Sequence, residues 1–370
     1  MKVLIVADEF FSWGSYGGFG FFSRKLGREL VRSGIEVEAW IRKMFPAQKP
    51  VGETESIDGV VVKTLPNSRS ERNERRASYR SDADVIHSQG WAWLDTWFTF
   101  KMNPRTPKAV TFQDARTDAE RRLTLPYDGG GPPEAYSTPW GIASSFLVKR
   151  RYRSAVRAAN LVASQAVHKI PFIEREYGIR NVRWLPNMVD VPEGLPRKAD
   201  VPTVLFLGRL DPIKRPELFC EIAKLMPDVR FHVLGTSHFG LDAGLRSKYD
   251  LPNLKFEGFD EGQRKVELLS RAWTLVNTSV YECLPISFLE AGGYGCSIVS
   301  CNDPDAFASR FGEHVRSDSP SAFALALRRQ FERDRWAEGG REAHRYVEEN
   351  YDTPKVVEEH RRLYQELTGA

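Results

Sequence analysis

The chain has 370 residues, of which 41% are apolar and 28% charged, and its net charge is +4. This length predicts two domains that each bury a core, and this composition excludes a wholly disordered or fibrous protein. The charge is too small to indicate nucleic-acid binding, and no apolar run approaches the roughly 20 residues of a membrane-spanning helix. The four cysteines lack metal-site spacing, which is typical of a reduced, cytoplasmic protein without structural zinc.

The first half of the chain alternates short apolar runs with amphipathic stretches, a pattern typical of strand–helix units in a mostly parallel sheet. Residues 3–7 form the first predicted strand and residues 21–32 the first predicted helix, which Gly34 ends. Further strands are predicted at 35–40, 60–64, 85–87, 109–112 and 161–163. The stretch 126–139 is rich in glycine and proline, which predicts a loop.

A proline-rich stretch between Pro186 and Pro202 marks the predicted domain boundary. The alternation of strands and helices restarts beyond it. Strands are predicted at 203–207, 230–234, 254–256, 275–278 and 297–300, and helices at 216–224, 262–270 and from Ile286. The remainder of the chain is helical and charged. We therefore predict two successive α/β sheets with a cleft between them, where the carboxyl ends of parallel strands bind ligands.

Two segments have the composition of phosphate-binding sites. Gly17 and Gly18 belong to the glycine-rich segment 14–20, which lies before the first predicted helix, where backbone N–H groups attract anions. A plain flexible turn is the alternative for these glycines. Arg209 and Lys214 follow the strand predicted at 203–207, and cations near a helix start indicate an anionic partner. Two merely exposed cations are the alternative there.

Two glutamates and one histidine are candidates for contacts with a ligand. Glu282 and Glu290 stand eight residues apart around the start of a predicted helix, with Pro285 suited to its first position. Carboxylates accept hydrogen bonds from sugar hydroxyls, although glutamates at this spacing are also common in structural roles. His87 ends a buried strand, where it either binds a ligand or satisfies a local backbone group.

Positive charge and aromatic side chains are concentrated in three segments. Residues 149–157 carry five basic residues and no acidic residue, and residues 69–80 carry five arginines. Such segments suit phosphate groups or an anionic membrane, or they form a solvated helix face. The tryptophans and phenylalanines of 91–100 either stack on sugars, lie at a lipid interface or fill the core.

Taken together, these segments resemble retaining glycosyltransferases of the family-4 type. That family has the α/β GT-B fold, in which two Rossmann-like domains face each other across a cleft, and the resemblance covers nearly the whole chain. It rests on Gly17-Gly18 before the first helix, Pro186-Asn187-Met188-Val189-Asp190 at the domain boundary, Gly208-Arg209 with Lys214, and a Glu-x7-Glu motif from Glu282 to Glu290 that continues with Ala291-Gly292 and Gly295.

The resemblance implies that a sugar moves from a nucleoside-diphosphate sugar to an acceptor hydroxyl with retention of configuration, without a metal ion or any other cofactor. It implies that Arg209 and Lys214 hold the diphosphate. Glu290 would bind the ribose, and Glu282 would contact the transferred sugar. The other implied donor-binding positions are Gly17 and Gly18 over the phosphates, Gly258 and Phe259 around the base, and the backbone of Leu284 and Ile286.

The same resemblance assigns roles to the two domains. Residues 1–190 would bind the acceptor, the C-terminal helix at about 352–370 would pack back on them, and residues 191–351 would bind the nucleotide sugar. The acceptor would be a glycan, a lipid-linked molecule or a small molecule. We expect a cytoplasmic protein that makes a peripheral contact with an anionic membrane at its inner face and binds no nucleic acid.

Two positions depart from the family pattern. Gln89 and Gln113 stand where many relatives have histidines, and a glutamine is not a general base. A catalytically inactive nucleotide-sugar-binding scaffold or regulator is therefore the alternative function, and another GT-B enzyme such as an epimerase or phosphorylase is a third. Because the leaving phosphate can take the acceptor's proton, we still take Glu282, His87 and Gln113 as the candidate catalytic residues.

Overall fold

The computed structural model describes residues 1–13, 17–43, 48–90, 92–127, 139–237 and 240–369, and the side chains of these residues apart from 69 and 139–145. The chain forms two compact units. The first comprises Met1–Ala115, the segment that ends at Met188 and the segment that starts at Pro354. The second comprises the segment that starts at Arg116 and Val189–Thr353. The segment from Arg116, which the sequence analysis places in the N-terminal domain, thus belongs to the second unit.

An eight-stranded sheet organises the first unit. Its strands are β1 (Lys2–Ala7), β2 (Glu36–Arg42), β3 (Thr54–Ile57), β4 (Val60–Leu65), β5 (Val85–Gln89), β6 (Lys108–Phe112), β7 (Leu161–Ser164) and β8 (Arg183–Trp184). They lie in the order β3-β4-β2-β1-β5-β6-β7-β8, and every neighbouring pair is parallel except the hairpin of β3 and β4. The central strands β1 and β5 are buried, β1 as an apolar run and β5 with three polar residues at its carboxyl end, as expected for a parallel sheet covered on both faces.

A six-stranded parallel sheet organises the second unit. Its strands are β9 (Thr203–Leu207), β10 (Arg230–Leu234), β11 (Leu254–Gly258), β12 (Thr274–Asn277), β13 (Ser297–Ser300) and β14 (Gly312–His314). They lie in the order β11-β10-β9-β12-β13-β14. Phe219, Phe231 and Phe323 are fully enclosed in the core on one face of this sheet. The strand order reverses between β9 and β12, so the carboxyl ends of these two strands form the ligand-binding edge of the sheet.

The α-helices connect these strands and follow them at the end of the chain. They are α1 (Gly18–Arg32), α2 (Arg69–Glu74), α3 (Trp93–Met102), α4 (Asp118–Thr124), α5 (Pro139–Arg157), α6 (Ile170–Tyr177), α7 (Pro216–Leu225), α8 (Asp242–Lys248), α9 (Gln263–Arg271), α10 (Ile286–Gly293), α11 (Phe307–Phe311), α12 (Pro320–Phe331), α13 (Arg335–Tyr351) and α14 (Thr353–Thr368). In the described part of the chain, none of these is both long and apolar enough to cross a bilayer.

The arginine-rich segment 69–80 contributes to the core of the first unit. The Arg72 guanidinium is buried and donates hydrogen bonds of 2.8 and 3.1 Å to the two carboxylate oxygens of Asp95. The hydroxyl of Tyr79 donates a third bond of 2.7 Å to the same carboxylate. At least one of the five arginines is therefore used internally. The aromatic segment 91–100 is likewise largely internal, since Phe98 and Phe100 are buried; Trp91 and residues 128–138 of the predicted loop lie outside the described residues.

Candidate functional site

Two loops meet at the ligand-binding edge of the second sheet. Residues 208–215 follow β9, and residues 278–285 follow β12, its neighbour in the sheet. The backbone N–H of Val280 donates to the carbonyl of Ile213 over 2.8 Å, and the hydroxyl of Thr278 donates to the carbonyl of Lys214 over 2.7 Å. These bonds fix the two loops against each other, so the residues that they carry keep a defined geometry.

Lys214 and Glu282, which the sequence places 68 residues apart, form an ion pair across these loops. The ammonium of Lys214 lies 2.5 Å from Oε1 of Glu282. The Ser279 hydroxyl and the Asn277 amide donate to the same oxygen, over 2.6 and 3.1 Å. Burial alone would raise the pKa of Glu282, but the Lys214 charge and these hydrogen bonds lower it below its ordinary value. Glu282 is therefore an anion and a weak base.

Arg209 lies in the first loop, just beyond β9. One guanidinium nitrogen is 3.0 Å from Oδ2 of Asp211, a buried carboxylate, while the Arg209 side chain is 41% exposed. Asp211 itself accepts a hydrogen bond of 3.4 Å from the Ser237 hydroxyl. The carboxylate therefore anchors the guanidinium at the surface of the edge, where it can still form a bidentate contact with a phosphate.

Glu290 lies on α10 and pairs with a lysine from α9. The ammonium of Lys265 is 2.5 Å from Oε1 of Glu290 and 2.7 Å from Oε2 of Glu261. Burial alone would lower the pKa of Lys265. The attraction of the two carboxylates outweighs this effect of burial and raises the pKa of the lysine. Burial also raises the pKa of Glu261. The second glutamate of the motif thus belongs to a charged cluster separate from the Lys214–Glu282 pair.

The amino end of α10 lies between the two glutamates of the motif. Leu284 is buried in front of it, Pro285 is its N-cap residue, and Ile286 is its first residue. No described side chain caps this end. Helix amino ends carry a partial positive charge from their N–H groups, which suits a phosphate or a sugar oxygen.

Gly258 and Phe259 follow β11 at the same edge of the sheet. Gly258 has a positive φ of 84°, a conformation that glycine adopts without strain. Its carbonyl accepts a hydrogen bond of 2.7 Å from the N–H of Gly235, just after the adjacent strand β10. Phe259 is 51% exposed, an arrangement in which the ring can stack on a flat ligand group.

The glycine-rich loop of the first unit is held by a carboxylate. Oε2 of Glu9 accepts hydrogen bonds from the N–H groups of Gly17 and Gly20, over 3.1 and 3.3 Å. A Cβ atom on Gly17 would lie 2.4 Å from that oxygen, so a larger residue there would displace the Glu9 carboxylate. The Gly17 N–H, which is expected to contact a phosphate, thus donates to a carboxylate of the same unit in this structure, and Gly18 begins α1 beside it; residues 14–16 lie outside the described residues.

His87 is enclosed in the first unit instead of facing a ligand. Its Nδ1 lies 2.8 Å from the Tyr364 hydroxyl and its Nε2 lies 2.7 Å from the Thr111 hydroxyl, and all three residues are buried. Burial, together with the nearby His360, holds the pKa of His87 well below its ordinary value. Both ring nitrogens are engaged, so we correct the expected catalytic role of His87 to a structural one that fixes the last helix.

Gln113 directly follows β6 and is buried in the first unit. Its amide nitrogen has no hydrogen-bond partner among the residues that the structure describes. Gln113 therefore keeps an unused donor, which is a binding property; its carboxamide has no basic lone pair for proton transfer.

Sequence reasoning missed several partners of the site. Asp211, Lys265, Glu261 and the polar pair Asn277 and Ser279 each hold one of the expected residues. The four-residue spacing of Glu261 and Lys265 is a signal for a helical ion pair. In the described part of the chain, no group of three or more histidine, cysteine, aspartate or glutamate side chains has the arrangement of a metal site.

Comparisons with known proteins find a matching family model for part of the chain and a shared fold for the whole of it. Residues 201–333 match the family model described as glycosyl transferases group 1. No curated protein matches the chain. Three solved structures illustrate the likeness of fold.

Sucrose-phosphate synthase from Thermosynechococcus elongatus has a TM-score of 0.74 and 17% identity, with 100% of each chain covered. HepE from Anabaena in complex with UDP has a TM-score of 0.71 and 14% identity, covering 99% of this chain and 100% of that one. The catalytic domain of starch synthase IV from Arabidopsis thaliana, bound to ADP and acarbose, has a TM-score of 0.63 and 12% identity, covering 100% and 99%. The chain therefore has the GT-B fold of two Rossmann-like α/β units, and residues 201–333 of it match the glycosyl transferases group 1 model.

Proposed function

We propose that this protein transfers a sugar from a nucleoside-diphosphate sugar to an acceptor hydroxyl with retention of configuration. The observation that carries the proposal is that Arg209 and the Lys214–Glu282 ion pair stand on the two adjoining loops at the reversal point of the second sheet. Two similar structures contain UDP and ADP, by their own descriptions. A diphosphate at this edge would meet two cations and the uncapped end of α10.

These groups support a front-face mechanism. The bond between the anomeric carbon and the phosphate oxygen breaks, and its electron pair stays on the diphosphate. Arg209 and Lys214 stabilise that charge, which is the largest electrostatic demand of the reaction. The acceptor oxygen then bonds to the same face of the anomeric carbon, and its proton passes to the departing phosphate oxygen. Because the pKa of Glu282 is lowered, this carboxylate is poorly suited to be the general base that inversion requires.

Removal of either donor-binding side chain should weaken nucleotide binding. We expect Arg209→Ala and Glu290→Ala each to raise the dissociation constant at least tenfold, about 1.4 kcal/mol, through loss of a phosphate or ribose contact. UDP, GDP, ADP and dTDP are first compared by thermal shift, and the nucleotide that stabilises most is used for calorimetry. Arg230→Ala, at the amino end of β10, and Glu267→Ala, on α9, are controls that should bind normally. Wild-type affinity in both test variants contradicts the assignment.

Catalysis should not require a divalent metal ion, because the two cations and the helix end neutralise the leaving diphosphate. We expect release of the free nucleotide from the nucleotide sugar to continue at an undiminished rate in excess EDTA. Loss of turnover that returns on adding Mg²⁺ or Mn²⁺ would overturn metal independence. The same assay tests the scaffold alternative, which the two glutamine replacements favour: a scaffold binds the nucleotide sugar but releases no product.

We also propose a peripheral contact with an anionic membrane through α5. Phe146 and Leu147 are 64% and 40% exposed, and the exposed Lys149 and Arg150 follow after Val148. Exposed apolar side chains beside cations are typical of helices that lie in a lipid interface. Within the basic stretch, Arg153 pairs with Glu176, which leaves the contact to the earlier residues.

This contact predicts co-sedimentation with phosphatidylglycerol vesicles and little with phosphatidylcholine vesicles. The double substitution of Phe146→Ser and Leu147→Ser should abolish the bound fraction, because the apolar anchor is lost. Leu325→Ser replaces a leucine on α12 that is 57% exposed and should leave binding unchanged. Equal binding by the α5 variant and the wild type would refute this contact.

A further inference from the structure

Three neighbouring parallel strands of the first unit each end in a glutamine. Gln89 is the last residue of β5, Gln113 directly follows β6, and Gln165 directly follows β7. The strand registers place Gln89 opposite Thr111 and Phe112 opposite Ser164, so Gln113 and Gln165 occupy matching positions. The backbone N–H of Gln165 continues this pairing by donating to the carbonyl of Phe112 over 3.1 Å. We call these three residues the glutamine row.

The glutamine row lies along the carboxyl edge of the sheet. The Gln113 side chain lies close to the backbone that directly follows Gln89. A Cβ atom on Gly90, the residue after Gln89, would lie 3.0 Å from Oε1 of Gln113. The carboxyl edge of a parallel sheet is where α/β units bind ligands.

All three glutamine side chains are buried but incompletely hydrogen-bonded. Gln89, Gln113 and Gln165 are 0%, 4% and 2% exposed. The side-chain nitrogen of each finds no acceptor within the described ranges of the chain. A buried N–H group without an acceptor is destabilising, and most buried polar groups in proteins are satisfied. Three such groups at one edge of the sheet are therefore donors that a ligand can satisfy.

Gln48 shows how the same side chain behaves in a structural role. Its amide nitrogen is also buried, but it donates to the carbonyls of Trp13 and Arg42 over 2.8 and 3.2 Å. The fold can therefore satisfy a buried glutamine where the side chain serves stability. The contrast sets the glutamine row apart from an ordinary buried amide.

We propose that the glutamine row binds the hydroxyl groups of an uncharged sugar, which is the acceptor of the transfer reaction. Carboxamide N–H groups donate to hydroxyl oxygens without supplying the positive charge that a phosphate or carboxylate ligand requires. A carboxylate also lies near the row, since Oδ2 of Asp8 is 3.8 Å from where a Cβ atom on Gly90 would lie. Asp8 is paired with Arg42 at 3.2 Å, and its carboxylate disfavours an anionic ligand.

This inference rests on the proposed function, because it identifies the row's ligand as the acceptor. It goes further by proposing that the part of the acceptor that binds here is an uncharged sugar, and by assigning Gln165, which no sequence motif indicated, to its recognition. Gln113 becomes a binding residue here, since an amide takes no proton from the acceptor.

Side-chain NMR tests the ligand directly. The chain has seven glutamines, so selective ¹⁵N-glutamine labelling gives a small set of side-chain NH₂ signals, which Gln→Met variants assign. We expect methyl α-glucoside and maltose to shift the signals of Gln89, Gln113 and Gln165, and glucose phosphate to leave them in place. The inference is overturned if neither neutral sugar shifts them, or if only the phosphate does.

Thermal unfolding separates a ligand-binding role from a structural one. Gln113→Met and Gln165→Met remove unsatisfied buried donors, so their melting temperatures should equal or exceed that of the wild type. The control Gln48→Met leaves two carbonyls without a donor and should melt lower. Equal losses in all three variants would make the row structural and refute the inference. Titration of the same samples with UDP and ADP tests the proposed function separately. A protein that binds neither nucleotide contradicts the proposed function, and this outcome does not depend on the glutamine signals.

Discussion

Replacement of Lys214 by methionine should both destabilise the second unit and abolish tight nucleotide binding. The substitution leaves the Glu282 carboxylate buried without its counter-charge, and breaking a buried pair in this way typically costs 3–5 kcal/mol. Ser279 and Asn277 still donate to the carboxylate, so we expect the lower end, about 3 kcal/mol of unfolding free energy. Nucleotide affinity should fall at least tenfold, about 1.4 kcal/mol, because one of two phosphate-binding cations is lost.

A double substitution separates these two effects. In Lys214→Met combined with Glu282→Gln, an amide replaces the stranded carboxylate and can still accept the bonds from Ser279 and Asn277. Stability should therefore return to within about 1 kcal/mol of the wild type, a recovery of about 2 kcal/mol relative to the single variant Lys214→Met. Nucleotide affinity should stay low, since no cation has been restored.

Urea unfolding and calorimetry with the best-stabilising nucleoside diphosphate measure both effects on the same protein samples. Lys224→Met, which replaces an exposed lysine of α7, should change neither stability nor affinity. A double variant that binds nucleotide as tightly as the wild type would show that Lys214 serves only to neutralise Glu282. The assignment of Lys214 to the diphosphate would then fail.

The sequence predicts the central strands well and the edges of the sheets poorly. The strand predicted at 203–207 coincides with β9, because a central parallel strand is a continuous apolar run. No strand is predicted at 54–57, where the exposed edge strand β3 has the polar sequence Thr-Glu-Ser-Ile. Its pairing with β4 depends on a hairpin and not on a hydrophobic pattern.

Motifs identify the candidate site residues, but tertiary contacts decide what each one does. Arg209, Lys214 and Glu282 all follow neighbouring strands, as their spacing suggests. The Lys214–Glu282 ion pair depends on the adjacency of β9 and β12, which local sequence does not encode. His87 is the clearest case, because its partner Tyr364 is 277 residues away and arrives on the last helix. A histidine at a strand end is therefore compatible with either a ligand or a core contact until the fold is known.

Acid should destabilise the first unit through the histidines that hold the last helix. Burial lowers the pKa of His360 to about 4, and its Nδ1–H donates to the carbonyl of Val356 over 2.8 Å, so the ring is neutral in the folded protein. The unfolded chain binds a proton at this residue near pH 6.5, before the folded protein does. Stability is therefore complete above about pH 6.5 and falls as the pH decreases towards 4.

The size of this loss follows from the pKa difference. Between about pH 7.5 and pH 5, His360 alone should remove about 2 kcal/mol of unfolding free energy, and below pH 4 the loss should level off at about 3 kcal/mol. His87, whose pKa is also lowered, adds to the loss in the same direction. Urea unfolding at pH 7.5 and at pH 5 measures this loss of unfolding free energy.

The variant His360→Phe keeps a ring in the same space but cannot take a proton. Between pH 7.5 and pH 5, the unfolding free energy of this variant should decrease by about 2 kcal/mol less than the unfolding free energy of the wild type does. The control His168→Phe alters an exposed histidine of the same unit and should retain the wild-type pH dependence. If His360→Phe loses as much stability in acid as the wild type, the titration of His360 is not what weakens the packing of the last helix.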